Sequence, residues 1–235
     1  MSKNGLAAIT VSCLLVSILV VALAPRSSPP VTGPLPPPDE GWIRLEIKDI
    51  GSIDYPPDLL ELPSGDYREF QEKYYVWYEI PSPFFMLHQV GLNELRLSAL
   101  REYRRVLFDT DYLGSWETVS RPNEKYTLSQ QELADLHGER VNQLRQAYAR
   151  LKRDGLGSNR IIDTGFVEIA EVNGMFSLLW TYKSQLNNEP VVLVKEYMYQ
   201  NFDKVHYLTF SYRVQDSDEC ADVFEKILYS FRLQD

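Results

Sequence analysis

The sequence predicts an α+β fold in which helices pack on a central antiparallel sheet. Two observations predict it: a series of strand-like segments joined by short turns near the carboxyl terminus, and an amphipathic helix directly after them. The predicted strands, which we call the meander, are residues 165–172, 175–184, 191–200 and 205–214. Asn173-Gly174 separates the first two strands, and Asn-Gly favours a tight hairpin because both turn positions need a positive φ.

The helix that follows the meander has apolar residues at helical spacing. These residues are Cys220, Ala221, Phe224, Ile227, Leu228 and Phe231. One side of the helix can therefore cover the sheet and share a core with it. We expect Cys220 to be a buried thiol, because cysteine packs as a small apolar side chain. We expect no disulfide with Cys13, which lies inside an apolar run beyond a Pro-rich segment.

Further strands are predicted earlier in the chain. Alternating apolar and polar residues at 42–48 indicate a strand with one solvent-facing side. Residues 51–57 form a turn and a short extended segment, which should leave the sheet or end at its edge because Pro56 lacks a backbone donor. Residues 73–80 and 84–90 are rich in aromatic and β-branched residues and predict two more strands.

Two helices are predicted between these strands and the meander. The first covers residues 93–108, where the apolar residues group on one side of a helix. The second begins at Ser129, because Ser129 and Glu132 fit a capping box in which each side chain satisfies a backbone donor of the other residue. Gly155 offers a C-terminal cap for this helix.

The amino terminus predicts a membrane anchor over residues 1–24. Residues 5–24 are uncharged and apolar, and a helix of this length spans the hydrocarbon layer of about 30 Å. The alternative is a cleaved signal peptide, which Lys3 and the small residues Ala22 and Ala24 favour and which Pro25 disfavours. Lys3 before the helix favours a domain that faces out of the cytoplasm.

Residues 25–40 contain seven of the fourteen prolines and predict a semi-rigid spacer. Residues 41–235 then form one extracytoplasmic α+β domain, which is large enough to bury a substantial core. The formal net charge of −9 argues against a nucleic-acid partner, because binding to phosphates along a nucleic acid requires clustered Lys and Arg.

Three stretches together resemble the PsbP-like superfamily. Residues 53–57 (IDYPP) are similar to an early extended segment of that family, residues 207–212 (YLTFSY) to a late strand, and residues 224–231 (FEKILYSF) to its closing helix. The resemblance implies an α-β-α sandwich around an antiparallel sheet, and a binding or assembly role rather than catalysis. It supplies no catalytic residue, and the apolar amino terminus and spacer depart from the plant photosystem subunits, which argues against a photosynthetic role.

Motifs for catalysis are absent from the sequence. It contains no Gly-x-Ser-x-Gly elbow, no phosphate-binding loop and no Gly-x-Gly-x-x-Gly. His88, His137 and His206 do not have the spacing of zinc ligands, and we expect them to be ordinary, partly exposed histidines. A site assembled from residues that are distant in sequence stays open as an alternative.

An acidic group before the last helix resembles a calcium site. It lacks the central glycine and the terminal glutamate of an EF-hand loop, and a helix N-terminus favours carboxylates by itself. We therefore predict no metal and no cofactor. The residues that a metal would use are Asp216, Asp218 and Asp222.

An aromatic series near residue 80 offers a second possible site. Core packing is its ordinary role, but Tyr and Trp also dominate protein-binding hot spots. The residues of this predicted contact patch are Tyr75, Trp77, Phe84 and Phe85.

These patterns together predict a membrane-tethered, non-catalytic binding or assembly module that faces out of the cytoplasm and has a protein partner. Two alternatives remain for the function. One is an exported enzyme, such as a hydrolase, and the other is a binder of a small ligand in a cavity between the sheet and a helix. A secreted protein is the alternative localisation.

Overall fold

The computed structural model describes residues 37–69, 71, 85–112, 124–155 and 157–233. The predicted anchor, most of the predicted spacer and the predicted strand 73–80 lie outside these ranges. No helix in the described ranges is long and apolar enough to cross a membrane.

The described residues form two antiparallel sheets and two long helices. The strands are β1 (Ile43–Ile47), β2 (Gly51–Tyr55), β3 (Leu60–Glu61), β4 (Phe85–Gln89), β5 (Arg104–Tyr112), β6 (Asn159–Thr164), β7 (Glu168–Val172), β8 (Met175–Leu186), β9 (Val192–Asn201), β10 (Lys204–Arg213) and β11 (Arg232–Leu233). The helices are α1 (Gln130–Arg153) and α2 (Ser217–Ser230). The larger sheet has the order β3-β4-β5-β10-β9-β8-β6, with β7 also paired to β8, and the smaller sheet has the order β1-β2-β11.

The predicted meander is confirmed as β7 to β10. Each strand pairs in an antiparallel manner with the next, and Val172 lies opposite Met175 across the first turn. Asn173 and Gly174 have φ values of 54° and 74°, as a tight hairpin turn requires. The meander therefore forms one half of the larger sheet.

Both terminal signals of the second predicted helix are present in α1. The Ser129 hydroxyl accepts a hydrogen bond from the Glu132 backbone N–H at 3.2 Å, and the Glu132 carboxylate accepts one from the Ser129 N–H at 2.7 Å. Gly155 follows the helix with a φ of 77°. In α2, Cys220, Phe224, Ile227 and Leu228 are buried, as their spacing predicts.

The predicted helix over 93–108 is wrong. Turns and a short 3-10 helix at Ala99–Arg101 lead instead into the strand β5. Val106 and Phe108 are fully buried on one side of β5, and the strand pairs with both β4 and β10. The apolar residues of this stretch fit either period, and the pairing with β10, about a hundred residues later in the chain, decides in favour of the strand.

Two further features were not predicted. The strand β6 lies at the edge of the larger sheet, and β11 adds the last described residues of the chain to β2. Residue 51 is glycine because a Cβ atom there would collide with the carbonyl oxygen of Arg232 in β11. Pro56 directly follows β2, so the chain leaves the smaller sheet at the proline, as expected.

The larger sheet has a hydrophobic core on each side. On one side, Tyr197 and Tyr199 of β9 pack with residues of α2 and of the smaller sheet. On the other side, Met198 of β9 packs with Leu136 and Val141 of α1. The alternation along β9 follows from the two-residue period of a strand. The molecule is therefore an α+β sandwich with α1 on one face and α2 on the other.

Candidate functional site

A groove of about 530 Å³ lies between the smaller sheet, α2 and the residues that enter the domain. The entering residues Pro37, Asp39 and Trp42 line one end of it. Strands β1 and β2 contribute Arg44 and Asp54. The remaining lining residues are Asp222, Glu225, Lys226, Tyr229, Ser230 and Arg232. The groove therefore depends on the contact between β2 and the end of α2.

A paired arginine and aspartate form the base of the groove. Arg44 Nε donates to Asp54 Oδ1 at 2.7 Å, and Arg44 Nη2 donates to Asp54 Oδ2 at 2.8 Å. The two residues lie opposite each other in the register of β1 and β2. The hydrogen bond with Asp54 raises the pKa of the Arg44 guanidinium. Such a two-pronged pair has a fixed geometry, and the pair therefore holds the two strands in place.

Ser230 connects this base to the end of α2. Its hydroxyl accepts a hydrogen bond from the Asp54 backbone N–H at 2.8 Å, and it lies 2.6 Å from the Ile227 carbonyl oxygen, to which it donates. Arg232 donates to the carbonyl oxygens of Tyr229 and Phe231 at 2.6 Å and 2.8 Å. These polar groups are already engaged within the protein, which suits a rigid support better than a reactive centre.

The rim of the groove is exposed and carries free carboxylates. Asp222 and Glu225 lie one turn apart on the exposed side of α2, and within the described ranges neither has an ion-pair partner. Lys226 Nζ lies 4.0 Å from Oδ2 of Asp39, which is near the end of the predicted spacer. Tyr229 is 49% exposed. The rim thus presents an aromatic surface beside two negative charges.

Two of the three histidines are buried. His88 and His206 are 0% and 1% exposed, so the expectation of partly exposed side chains is wrong for both. His206 shares hydrogen bonds with Thr110 at 2.9 Å and Asn201 at 3.3 Å. Burial, with a smaller effect of Lys204, lowers the pKa of His206 to about 4. The alternation of His206 with Leu208 and Phe210 along β10 was the sequence signal for this burial.

Burial also lowers the pKa of His88, whose ring packs edge-on against Tyr67 at 4.8 Å. His137 is half-buried on α1, with its ring 5.1 Å from that of Phe166. None of the three histidines lines the groove.

The predicted contact patch falls largely outside the described ranges, which do not include Tyr75, Trp77 and Phe84. Phe85 lies on β4, half-buried, and its ring stacks on Phe108 with centroids 5.5 Å apart. The patch stays a prediction.

The three acidic residues named as metal candidates are not gathered at one point. Asp216 is the N-cap residue of α2, Asp218 lies in its first turn, and only Asp222 lines the groove. Within the described ranges, no three His, Cys, Asp or Glu residues are arranged to hold a metal ion. Cys220 is 2% exposed, as predicted, and burial raises the pKa of its thiol.

A smaller apolar pocket of about 260 Å³ lies between α2 and the larger sheet. Leu60, Arg104, Cys220 and Phe224 are among its lining residues. Its volume is below the range of about 300–1,000 Å³ that is common for small-molecule sites, so this pocket does not support the small-ligand alternative.

No family model and no curated protein matches this sequence. Among solved structures, the chain is similar to cyanobacterial PsbP (CyanoP) from Synechocystis sp. PCC 6803, with 12% identity over 90% of this chain and 100% of that chain and a TM-score of 0.46. It is also similar to LpqN of Mycobacterium tuberculosis, which is involved in cell envelope biogenesis, with 15% identity over 83% of this chain and 91% of that chain and a TM-score of 0.43.

The first of these proteins is a PsbP, the protein after which the superfamily that the sequence motifs resemble is named.

Proposed function

We propose that this chain is a membrane-tethered, non-catalytic binding module that faces out of the cytoplasm and holds a protein partner in the groove. The observation that carries the proposal is the exposed Tyr229 ring beside the free carboxylates of Asp222 and Glu225, above the fixed Arg44–Asp54 pair. A rigid base under an aromatic and charged rim is the arrangement of a binding surface, because tyrosine buries a large area at a low cost in conformational entropy.

The hydrogen bonds of Ser230 and Asp54 favour a binding role of the groove over a hydrolytic one. A serine nucleophile needs a base within hydrogen-bond reach that can take its proton. The Ser230 hydroxyl instead donates to a backbone carbonyl and accepts from the Asp54 N–H. The Asp54 carboxylate is held by Arg44, so it is not available to Ser230 as a base.

The rim indicates the chemistry of the partner. Asp222 and Glu225 favour a partner segment with basic side chains, and the aromatic rings of Tyr229 and Trp42 favour a segment that also presents an apolar side chain. The expected partner is therefore a protein that presents a basic and apolar segment.

The position of the groove fits the proposed tether. Pro37 and Asp39, at the end of the predicted spacer, line the groove itself. An extended spacer from residue 25 to residue 36 would measure at most about 40 Å at roughly 3.1 Å per residue. A partner in the groove would thus be held near the membrane surface.

Site-specific photocrosslinking in native membranes tests the proposed partner site. A photoreactive amino acid replaces Tyr229 in the full chain, and the same amino acid at Tyr112, which is 73% exposed and outside the groove, is the control. We expect a discrete protein adduct from position 229 only. Equal adducts from both positions, or none from position 229, would contradict the proposal.

A charge reversal tests the chemistry of the same contact. Glu225→Lys should abolish the adduct from position 229, because it places a positive charge opposite the basic segment. Glu189→Lys, which makes the same change in net charge at an exposed turn, should leave the adduct intact. Loss of the adduct in both variants would indicate a general charge effect and count against the groove.

Membrane extraction tests the tether separately. The full chain should stay in the membrane pellet after alkaline carbonate washing, at the mass of the uncleaved sequence, and protease added to the extracytoplasmic side should digest it. A shortened chain in the soluble fraction would instead favour the cleaved signal peptide.

A further inference from the structure

A second concavity, which we call the cleft, lies on the other side of the larger sheet. It has a volume of about 480 Å³ and runs between one side of α1 and the edge strand β6. Helix residues Arg145 and Lys152 line one wall, and Ser158, Asn159 and Arg160 line the other. The cleft shares no residue with the groove.

Three cationic residues line the cleft. Among the residues that the structure describes, Arg145 and Lys152 have neither a hydrogen bond nor an ion pair. Arg160 donates to Gln185 through Nε at 3.0 Å and through Nη2, which leaves Nη1 without a partner in the same part of the chain. The one carboxylate in the lining, Asp163, lies 3.6 Å from Lys183. The lining residues of the cleft therefore carry a net positive charge, although the formal net charge of the chain is −9.

The helix dipole explains only part of this charge. Basic residues are favourable in the last turn of a helix, where the carbonyl groups carry a partial negative charge, and Lys152 lies in that turn. Arg145 lies two turns before the end of α1, and Arg160 belongs to β6. The dipole stabilises neither of them, since its effect is confined to the terminal turn.

Neutral donors complete the lining. Within the described ranges, the Ser158 hydroxyl and the Asn159 side-chain amide have no hydrogen-bond partner. The backbone at this point is fixed, because the Ser158 N–H donates to Asn187 Oδ1 at 2.9 Å and the Asn187 N–H donates to the Ser158 carbonyl at 2.9 Å. The wall that carries the donors is thus held by the turn after β8.

We propose that the cleft binds the phosphate group of a small ligand or of an anionic lipid. Arginine and lysine side chains with neutral N–H and O–H donors form the usual set for phosphate oxygens. Arg145 and Lys152 meet the group from the helix, and Arg160, Ser158 and Asn159 meet it from the edge of the sheet. The site is independent of the partner in the groove.

Nuclear magnetic resonance of the full chain in a neutral detergent tests this proposal. The first probe is inorganic phosphate, added at constant ionic strength in place of chloride. The second is a short-chain phosphatidylglycerol in mixed micelles, compared with the matching phosphatidylcholine. We expect saturable shifts of the backbone amides of Ser158, Asn159 and Arg160 with at least one phosphate probe. A response to inorganic phosphate identifies a free phosphate compound as the source, and a response to phosphatidylglycerol alone identifies a lipid headgroup.

A double variant tests which residues bind. Arg145→Gln with Lys152→Gln should weaken the binding about tenfold, because two charged contacts are lost. Lys48→Gln with Arg101→Gln makes the same change in net charge at exposed positions outside the cleft and should leave the affinity unchanged. Equal weakening in both double variants, or the absence of saturable shifts with either probe, would overturn the proposal.

Discussion

Among single residues, His206 couples the stability of the fold to pH. Its pKa falls from an ordinary value near 6.5 to about 4 in the folded state, chiefly because the ring is buried. Below pH 6.5 the unfolded chain therefore binds a proton that the folded chain does not bind. The free energy of unfolding is therefore unaffected by His206 above that pH. It decreases as the pH falls from about 6.5 to about 4.

Lowering the pH from 7 to 5 should thus cost about 2 kcal/mol through His206. In His206→Gln this part of the loss should disappear, while the loss due to other groups, including His88, remains. Urea unfolding of both proteins at the two pH values measures the difference. An equal loss in the variant and the natural chain would show that His206 does not titrate as described.

The Arg44–Asp54 pair is the residue contact that holds the base of the groove. The Asp54 side chain is 9% exposed, so Arg44→Ala would leave a nearly buried carboxylate without its partner and should cost about 2 kcal/mol. The double variant Arg44→Met with Asp54→Leu removes both charges and should be more stable than Arg44→Ala. Chemical denaturation measures the free energy of unfolding of each variant. A lower value for the double variant than for Arg44→Ala would contradict the prediction.

Among the elements, α1 depends on its N-terminal cap. Ser129→Ala removes the hydroxyl that accepts from the Glu132 N–H and should cost about 1 kcal/mol. Asp216 at the N-cap of α2 makes no such side-chain hydrogen bond, so Asp216→Ala should cost less than about 0.5 kcal/mol. The free energies of unfolding of the two variants test this difference, and similar losses would show that the capping box adds nothing specific.

Gly138 weakens the same helix. It lies on the exposed side of α1, and a Cβ atom there would contact nothing within 4 Å. Gly138→Ala should therefore stabilise the protein by about 1 kcal/mol, through the lower conformational entropy of the unfolded chain and the better helix propensity. Gly174→Ala is the matched control and should destabilise, because residue 174 has a φ of 74°. A lower melting temperature for Gly138→Ala would contradict the prediction.

Local signals predicted the elements that local chemistry determines. Asn173-Gly174 located the first hairpin and Ser129 with Glu132 located the start of α1, because in each case a few neighbouring residues satisfy each other's backbone groups. The strand β5 was missed because its conformation depends on pairing with β10, far along the chain. Longer-range contacts of this kind leave little trace in a single sequence.

The groove could not be predicted for the same reason. It forms where β2 meets the end of α2, and the Asp54 N–H donates to Ser230, which is 176 positions later in the sequence. Only the Arg44–Asp54 contact was within reach of sequence reasoning, through the register of a β1–β2 hairpin. The sequence did show the exposed face of α2, as the side opposite the apolar stripe. It did not show that the smaller sheet and residues 37–42 lie beside this face.

In the whole molecule, the two candidate sites lie on different layers. The groove belongs to the face that carries α2 and the smaller sheet, and the cleft belongs to α1 and the edge strand β6. The larger sheet between them is filled on both sides by hydrophobic cores. The proposed protein partner in the groove and the proposed phosphate group in the cleft therefore do not compete for the same residues.

The proposed function depends on a partner that binds in the groove between α2 and the smaller sheet. Hydrogen–deuterium exchange of the full chain, alone and with the partner identified by crosslinking at position 229, measures this contact. We expect slower exchange in residues 42–47 and 222–233 when the partner is bound, with no change in β6 and β7. Protection confined to β6 and β7, or no protection in either region, would contradict it.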